Sequence, residues 1–438
     1  MNNLVVAVAR ETKLFAGLET TPGTQVLPNA SGMNLILAAG AGSVQQLMRM
    51  VDDPQYRNTL SKLDPTPGSF DVGKWSFPAV IKTVAASGTP AAPELDPILA
   101  SLFGKIADTT QTAWFGANSR AYLLQSVSPA GTVPLTFTLW FKVGHMMYYA
   151  CGATTNVGEF NCAGNDLAKA NFSGEFMRHG FCGTDAVTAA DSGSGTSLKV
   201  ENASKFFLSQ TGDQFMIQFI TYATGALGAT ATVTAVDYVN NILTLASTAT
   251  RGSGDIVAPY LPAGTEVGIP MYGKYGIMRI GGTISTKAIA SLPTTPYIIQ
   301  SARVTITNNY KYHADLKDNQ PYPTEVVRPA ARTCEGEITV FAYRDLPVFM
   351  YKALRDPLYQ DYVIIPMQDR SATTGRLAEI HCPRVEWGSP NVAGEDEKTA
   401  TISFKSTASP SYDDEAALMF APAASSTVTS STTTVSHS

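Results

Sequence analysis

Residues 337–357, EITVFAYRDLPVFMYKALRDP, hold both periodicities that the chain uses. The first six, Glu337–Ala342, alternate in polarity and are rich in β-branched and aromatic side chains, which predicts a strand with one covered face and one wet face. Asp345 then sits where a helix N-cap belongs, with Pro347 in the first turn and a stop at Asp356-Pro357. Within this predicted helix, Asp345–Arg355, residues Leu346, Phe349, Met350, Ala353 and Leu354 fall on one stripe, so the helix is expected to lie flat on a sheet with Phe349 and Leu354 buried.

The same strand grammar recurs along the chain. Thr136–Val143, Phe215–Thr221, Ala231–Val236, Ile242–Ala246, Arg303–Thr307 and Thr399–Lys405 are β-branched or aromatic runs bounded by Gly, Pro, Asn or Asp. A second helix is predicted over Pro93–Ile106, with Leu95, Ile98, Leu99, Leu102 and Phe103 as its apolar stripe. Residues 1–80 are rich in turn signals such as Thr21-Pro22-Gly23 and Asp64–Gly68, and read as an extended arm ordered by neighbours. Tyr56–Phe77 in particular are expected to touch another subunit. Residues 183–283 change texture, opening on a Gly/Ser/Thr/Ala stretch and containing a hairpin-like pair around Asn240-Asn241. They read as a small all-β insertion on the outside of the molecule that adds no strands to the main sheets. From Ala421 onward the chain is nearly all Ser, Thr, Ala and Val, a tail expected to order only by pairing with something.

Composition narrows the function classes. The 438 residues carry 31 Lys+Arg against 36 Asp+Glu, a formal charge of −5, and only 15% are charged, below the roughly 25% of an ordinary domain. That balance argues against an electrostatic nucleic-acid binder, which needs a basic face. An uncharged surface of this extent suits contacts between subunits. No apolar run approaches the roughly 18 residues of a membrane helix, and MNNLVVAVARETK does not read as a secretory signal. The five cysteines (Cys151, Cys162, Cys182, Cys334 and Cys382) contain no CxxC. They are expected to be buried thiols in a reducing cytoplasm, the nearest metal-like pairings being His179 with Cys182 and His381 with Cys382.

Chemistry-bearing motifs are sparse. GxSxG, HExxH and GxxxxGK[ST] are absent, and Gly40-Ala41-Gly42 lacks the third glycine of a dinucleotide loop. The acidic runs Glu395–Glu397 and Asp413–Glu415 do not fit the twelve-residue calcium loop, and the Asn29, Asn171 and Asn202 sequons match by chance. The five histidines are scattered. No residue is therefore nominated as catalytic, cofactor-binding or metal-ligating. The chain is expected to be no enzyme and to use no cofactor.

One order of weak motifs is informative. TTPYIIQSARVTITNNYKYHADL, RPAARTCEGEITVFAYRD, the capped helix, and GRLAEIHCPRVEWGSPNVAGEDEKTATISFKSTASPSYDDEAALMFA follow one another through the last 150 residues. Asn308-Asn309 stand upstream of Arg332 and Gly336, Cys382–Trp387 lead into a Gly-acid turn, and Asp413–Phe420 close the run. ARETKLFAGLETTPGT, PAAPELDPILASLFGK, TFTLWFKVGHMMYYACGATTNVGEF with Gly152-Ala153, and KANFSGEFM with Phe172 and Gly174 precede them. This series resembles the tail tube (major tail) proteins of long-tailed bacteriophages over residues 1–180 and 284–420.

The resemblance implies a mainly β fold of two packed antiparallel sheets flanked by a helix. It would comprise 1–182 and 284–420 as core, 183–283 as insertion and 421–438 as tail. It implies homo-hexameric rings, stacked on copies of themselves, that enclose a channel for double-stranded DNA. It also implies terminator, tape-measure and baseplate or distal tail proteins as partners, no membrane insertion, assembly in the bacterial cytoplasm and residence in the virion tail. Another virion ring or decoration protein, or a surface adhesin, is the alternative reading.

Overall fold

The computed structural model describes residues 13–29, 33–36, 42–51, 66–82, 92–107, 120–124, 134–164, 166–188, 191, 193–264, 268–273, 279–280, 284–285, 288–289, 299–313, 321–341, 346–354, 361–369, 377–393, 398–408, 415–421 and 435–436. The described residues are mainly β, with antiparallel sheets and two α-helices among them.

Three sheets stack. The largest is curled and runs, strand by strand, through Ser43–Gln45, Gly73–Val80, Lys169–Phe176, the second half of Met146–Ala163, Ile299–Thr307, Thr333–Phe341, Thr399–Ser406, Leu377–Trp387, Asp361–Gln368 and Arg279–Ile280. Ala417–Ala421, Arg120–Leu124 and Gly104–Ala107 branch from Leu377–His381. A middle sheet follows the order Asn34–Ile36, Lys13–Leu18, Phe137–Val143, the first half of Met146–Ala163, Arg178–Cys182 and Phe206–Phe207. The six-stranded back sheet is built from Asp185–Ala186, Ile256–Pro259, Phe215–Ile220, Leu227–Asp237, Ile242–Arg251 and Gly193–Lys199.

One strand, Met146–Ala163, belongs to two sheets. Its register against Phe137–Val143 breaks between Ala150 and Ala153, where Gly152 takes φ 65°. A side chain there would be strained by that φ and would put its Cβ 2.6 Å from the Met177 sulfur. The backbone can therefore turn from one sheet into the other at this residue.

Alternation along the middle sheet explains the three layers. Leu14, Ala16, Leu139 and Ala150 face the core shared with the curled sheet. Phe15, Trp140, Met147, Tyr149 and Cys151 face the other way, onto the back sheet. Successive strand residues point to opposite faces, and here both faces are apolar, so both must be covered.

The first helix, α1 (Asp96–Phe103), is buried at all eight positions. It is shorter than the predicted Pro93–Ile106 because Gly104, at φ 87°, ends it and opens the next strand. Its apolar stripe became a wholly buried surface because strands pack around it.

The second helix, α2 (Leu346–Leu354), corrects the expectation for its stripe. Phe349 is buried edge-on against Trp387, with ring centroids 5.0 Å apart. Lys352 reaches under the helix to Asp361 at 2.6 Å. Leu354, however, is 65% exposed and Met350 43%. The helix is rotated so that residues 349 and 352 point inward, a geometry that the buried ion pair fixes. Asp345 lies outside the described residues.

Two boundaries also move. The arm reading of 1–80 fails at its strands. Lys13–Leu18 forms six register pairs with Phe137–Val143, and Trp75, Phe77 and Ala79 are buried in this chain's own core. Alternation in GKWSFPAV overrides the surrounding turn signals; Pro78 is tolerated because it lies beyond the Ser43–Gln45 pairing of its strand. Tyr56 lies outside the described residues. At the other boundary, the stretch 183–283 does contribute to the main sheets. Arg279–Ile280 pairs with Val363-Ile364. Met271, fully buried, donates its N–H to Ile81 O and accepts from Ala168 N, while Tyr272 and Gln368 exchange two backbone hydrogen bonds. Pro270–Tyr272 thus bridges the two ends of the curled sheet. Phe215–Ile220 lies within the back sheet. In the tail, the backbone of Val435–Ser436 pairs with Ala288–Ile289.

Candidate assembly surface

The outward face of the curled sheet is polar and patterned. Strand register lines up Asn171, Glu159, Thr305, Glu335, Lys405 and Glu386 in one row across six strands. The neighbouring row is Lys169, Asn161, Arg303, Glu337 and Ser403. Behind these rows the alternate residues Phe160, Val304, Ile338, Ile402 and Phe404 are buried. The half-polar strands of the sequence have thereby become a wall with a dry inside and a wet outside.

The cations on this wall are flanked by acids. Arg303 donates to Glu159 Oε2 at 2.8 Å and stands 3.7 Å from Glu337. Lys405 sits in register between Glu335 and Glu386. Burial raises the Glu159 carboxyl, but hydrogen bonds from Asn161 and Arg303 outweigh it and hold the carboxyl below its ordinary range. In these two rows four glutamates face three basic side chains, a nearly balanced and slightly acidic surface.

Asn308 and its neighbours hold the wall in place. Asn308, fully buried, donates to Leu102 O at 2.8 Å and Thr155 O at 3.0 Å, and accepts from Arg332 Nε at 3.0 Å. It ties the end of α1 to two strands. Asn309 takes φ 57°, and Asn241 in the back-sheet hairpin takes φ 56°. A Cβ on Gly336 would lie 2.3 Å from the Phe404 ring.

Of the buried carboxylates that sequence reasoning missed, Glu19 and Asp213 have the fullest sets of partners. Glu19 Oε2 accepts from Gly23 N at 2.7 Å and Thr136 Oγ1 at 2.8 Å. Its Oε1 accepts from Thr138 Oγ1 at 2.8 Å and Gly152 N at 2.9 Å. Burial nonetheless raises its carboxyl above the ordinary value. The signal was the ETTPGT element, whose Gly23 at φ 75° lets the loop fold back onto Glu19. Asp213 joins the back sheet to the middle sheet. It receives Arg178 Nη2 at 2.7 Å, Arg178 Nε at 3.1 Å, Tyr149 OH at 3.1 Å and Ser209 Oγ at 2.6 Å. No sequence motif announced that contact.

The metal-like pairings do not converge. His179 Nδ1 meets Gln46 Oε1 at 2.7 Å, whereas Cys182 faces the back sheet. His381 lies between the Tyr362 hydroxyl and Glu379 Oε2, the latter at 3.0 Å, while Cys382 faces the main core. On a strand, residues one or three apart point to opposite faces. All five cysteines are buried thiols, and burial pushes Cys162 up to about 12. Among the described residues, no three His, Cys, Asp or Glu side chains gather as a metal site would, and no helix is long and apolar enough to cross a membrane. Asp413, Asp414 and Glu395–Glu397 lie outside the described residues.

No protein-family model matches the chain, and no curated protein is significantly similar to it.

Proposed function

We propose that this protein is a phage tail tube subunit, which forms hexameric rings that stack into a tube for genome delivery. The observation that carries the reading is the outward wall of the curled sheet. Its long antiparallel strands are dry behind and polar in front, and Arg303 is engaged by Glu159 and Glu337. A duplex passing such a wall meets few free cations, so phosphate binding and counterion release contribute little to holding it. The low share of charged residues, 15% of the chain, suits the side-by-side contacts of a ring. Stacking then calls for different contacts on the two ends of the subunit, as an open heterologous assembly requires.

In this reading the protein resides in the virion tail and is assembled in the host cytoplasm. Terminator, tape-measure and distal tail proteins meet the ends and interior of the tube. The back sheet lies behind the middle sheet, on the side away from the core of the curled sheet, and faces the outside of the tube. Negative-stain imaging of the purified protein after concentration tests this. Stacked rings with a bore wider than a DNA duplex are expected. A protein that stays monomeric at all concentrations, or forms only closed species of one size, overturns the proposal.

A further inference from the structure

Two of the five buried thiols touch each other. Cys334 and Cys382 are both fully buried and both face the main core. Burial alone raises the Cys162 thiol, whereas the largest influence on Cys334 is its hydrogen bond with the Cys382 thiol. The two cysteines stand on strands that share no ladder. Thr399–Ser406 lies between Thr333–Phe341 and Leu377–Trp387, and its last residue, Ser406, is opposite Cys334 on one side and Val385 on the other.

Cys382 sits at a seam in the curled sheet. Leu377–His381 pairs with Ala417–Ala421, while Val385–Trp387 pairs with Phe404–Ser406. Cys382 falls where the strand changes partner. Its register with Asp361–Gln368 slips there too, between Asp361 and Val363, which disrupts the local ladder. Thr407 N donates to Arg384 O at 2.9 Å, and Ser406 Oγ donates to Glu415 O at 2.5 Å, so all four residues meet at this seam. Three of their buried polar atoms, Arg384 Nε, Thr407 Oγ1 and Glu415 Oε2, have no hydrogen-bond partner among the described residues. Buried groups of that kind cost stability, so the sheet gives way here more easily than along a regular ladder.

We infer that Cys334 and Cys382 form a redox site, which a small peroxide closes to a disulfide. In the first step one sulfur attacks the peroxide and the O–O bond breaks. One oxygen stays on sulfur as a sulfenic acid, and the other leaves as water with the thiol proton. The neighbouring thiol then attacks that sulfur. An S–S bond forms, the S–O bond breaks, and the second thiol proton leaves with the hydroxyl as another water. The two sulfurs lose two electrons, the peroxide gains them, and the chain loses two hydrogens. The contact with Cys382 and burial hold the Cys334 thiol protonated, which slows attack, so the reaction proceeds through opening of the seam. The product ties together two strands that share no backbone hydrogen bond and encloses α2 in its loop. The inference does not depend on the assembly reading. Under that reading the bond forms once the particle has left the reducing cytoplasm.

The test uses the full wild-type chain and needs no variant. The protein is purified under reductant, freed of it, and incubated with hydrogen peroxide while circular dichroism confirms that it stays folded. Remaining thiols are then alkylated in denaturant and the cysteine peptides are mapped by mass spectrometry. Three of the five cysteines should be alkylated. The other two should appear as one linked pair of peptides carrying Cys334 and Cys382, lighter by two hydrogens and separated again by reductant. Urea below the unfolding transition should speed the linkage. Five alkylated cysteines in the peroxide-treated chain overturn the inference. So does a linkage between any other two, or sulfinic acid at Cys334 or Cys382 without the linked pair. None of these outcomes bears on whether the protein forms tubes, which imaging decides separately.

Discussion

Replacing Asp213 with alanine isolates the contact that fixes the back sheet to the middle sheet. Asp213 is 2% exposed and its partner Arg178 9%. Two hydrogen bonds join them, at 2.7 and 3.1 Å, and Tyr149 and Ser209 donate to the same carboxylate. Burial alone would lower the basicity of the Arg178 guanidinium. The Asp213 bonds and its other neighbours reverse that, so Arg178 stays charged. Removing the carboxylate leaves that charge buried with no counter-ion, which costs about 3–5 kcal/mol, most of it the penalty of the stranded charge. The hydrogen bonds of Tyr149 and Ser209, at about 1 kcal/mol each in isolation, are not simply added, because they share one acceptor with the ion pair.

Against a total stability of roughly 5–15 kcal/mol, Asp213→Ala should remain folded but marginal. Trp140 supplies the readout. It is fully buried in the same interface, 5.2 Å from the Tyr149 ring, so its fluorescence follows separation of the two sheets. The urea midpoint should fall by an amount matching about 3–5 kcal/mol, and Arg178→Met/Asp213→Leu should recover most of it, as apolar replacements of buried pairs do. An unchanged midpoint for Asp213→Ala, or a double variant as weak as the single, would refute the view that a desolvated ion pair clamps the layers.

Three further outcomes follow from the geometry. Excising Gly183–Gly282 should give an insoluble chain or one without a cooperative transition. It bares Phe15, Trp140, Met147, Tyr149 and Cys151, where burial of each large side chain contributes about 1.5–3 kcal/mol, and it removes the Pro270–Tyr272 bridge; a soluble product with a sharp melt would contradict this. Glu19→Gln should cost about 1–3 kcal/mol, because an amide nitrogen cannot accept the hydrogen bonds that one carboxylate oxygen accepts. Since the folded Glu19 carboxyl is raised above its unfolded value of 4.5, the group's contribution is greatest below that value and is lost as pH rises through the folded value. The wild-type-minus-variant difference in urea midpoint should therefore shrink from pH 4 upward, and a difference that grows with pH would reverse the sign argued here. Phe349→Ala should cost about 3–5 kcal/mol, while Leu354→Ala should stay within about 0.5 kcal/mol, both read from thermal melts.

The strands were legible where one face is wet. Arg303–Thr307 and Thr399–Lys405 alternate because alternate residues meet water, and the structure extends each by only a few residues, to Ile299–Thr307 and Thr399–Ser406. Legibility failed where both faces are covered. In FTLWFKV, Leu139 and Trp140 are buried on opposite sides of the same strand, so the run announces a strand without announcing the layer that covers its second face. That is why the stretch 183–283 read as a separable appendage. Its dependence on the core lies in contacts such as Arg178 with Asp213, 35 residues apart, and local pattern carries no trace of them.

The helices failed in a related way. A stripe at i, i+3, i+4 tells which side chains are apolar, but it identifies the buried side only if no polar residue also has a partner underneath. In α2, Lys352 has such a partner in Asp361, and its inward turn carries Phe349 with it and swings Leu354 out. An apolar side chain left in water costs about as much as its burial would return, roughly 1.5–3 kcal/mol for leucine. The apolar character of this helix, read from sequence as evidence for packing of the whole stripe against its own sheet, is met by Phe349 against Trp387, while Met350 and Leu354 stand in water.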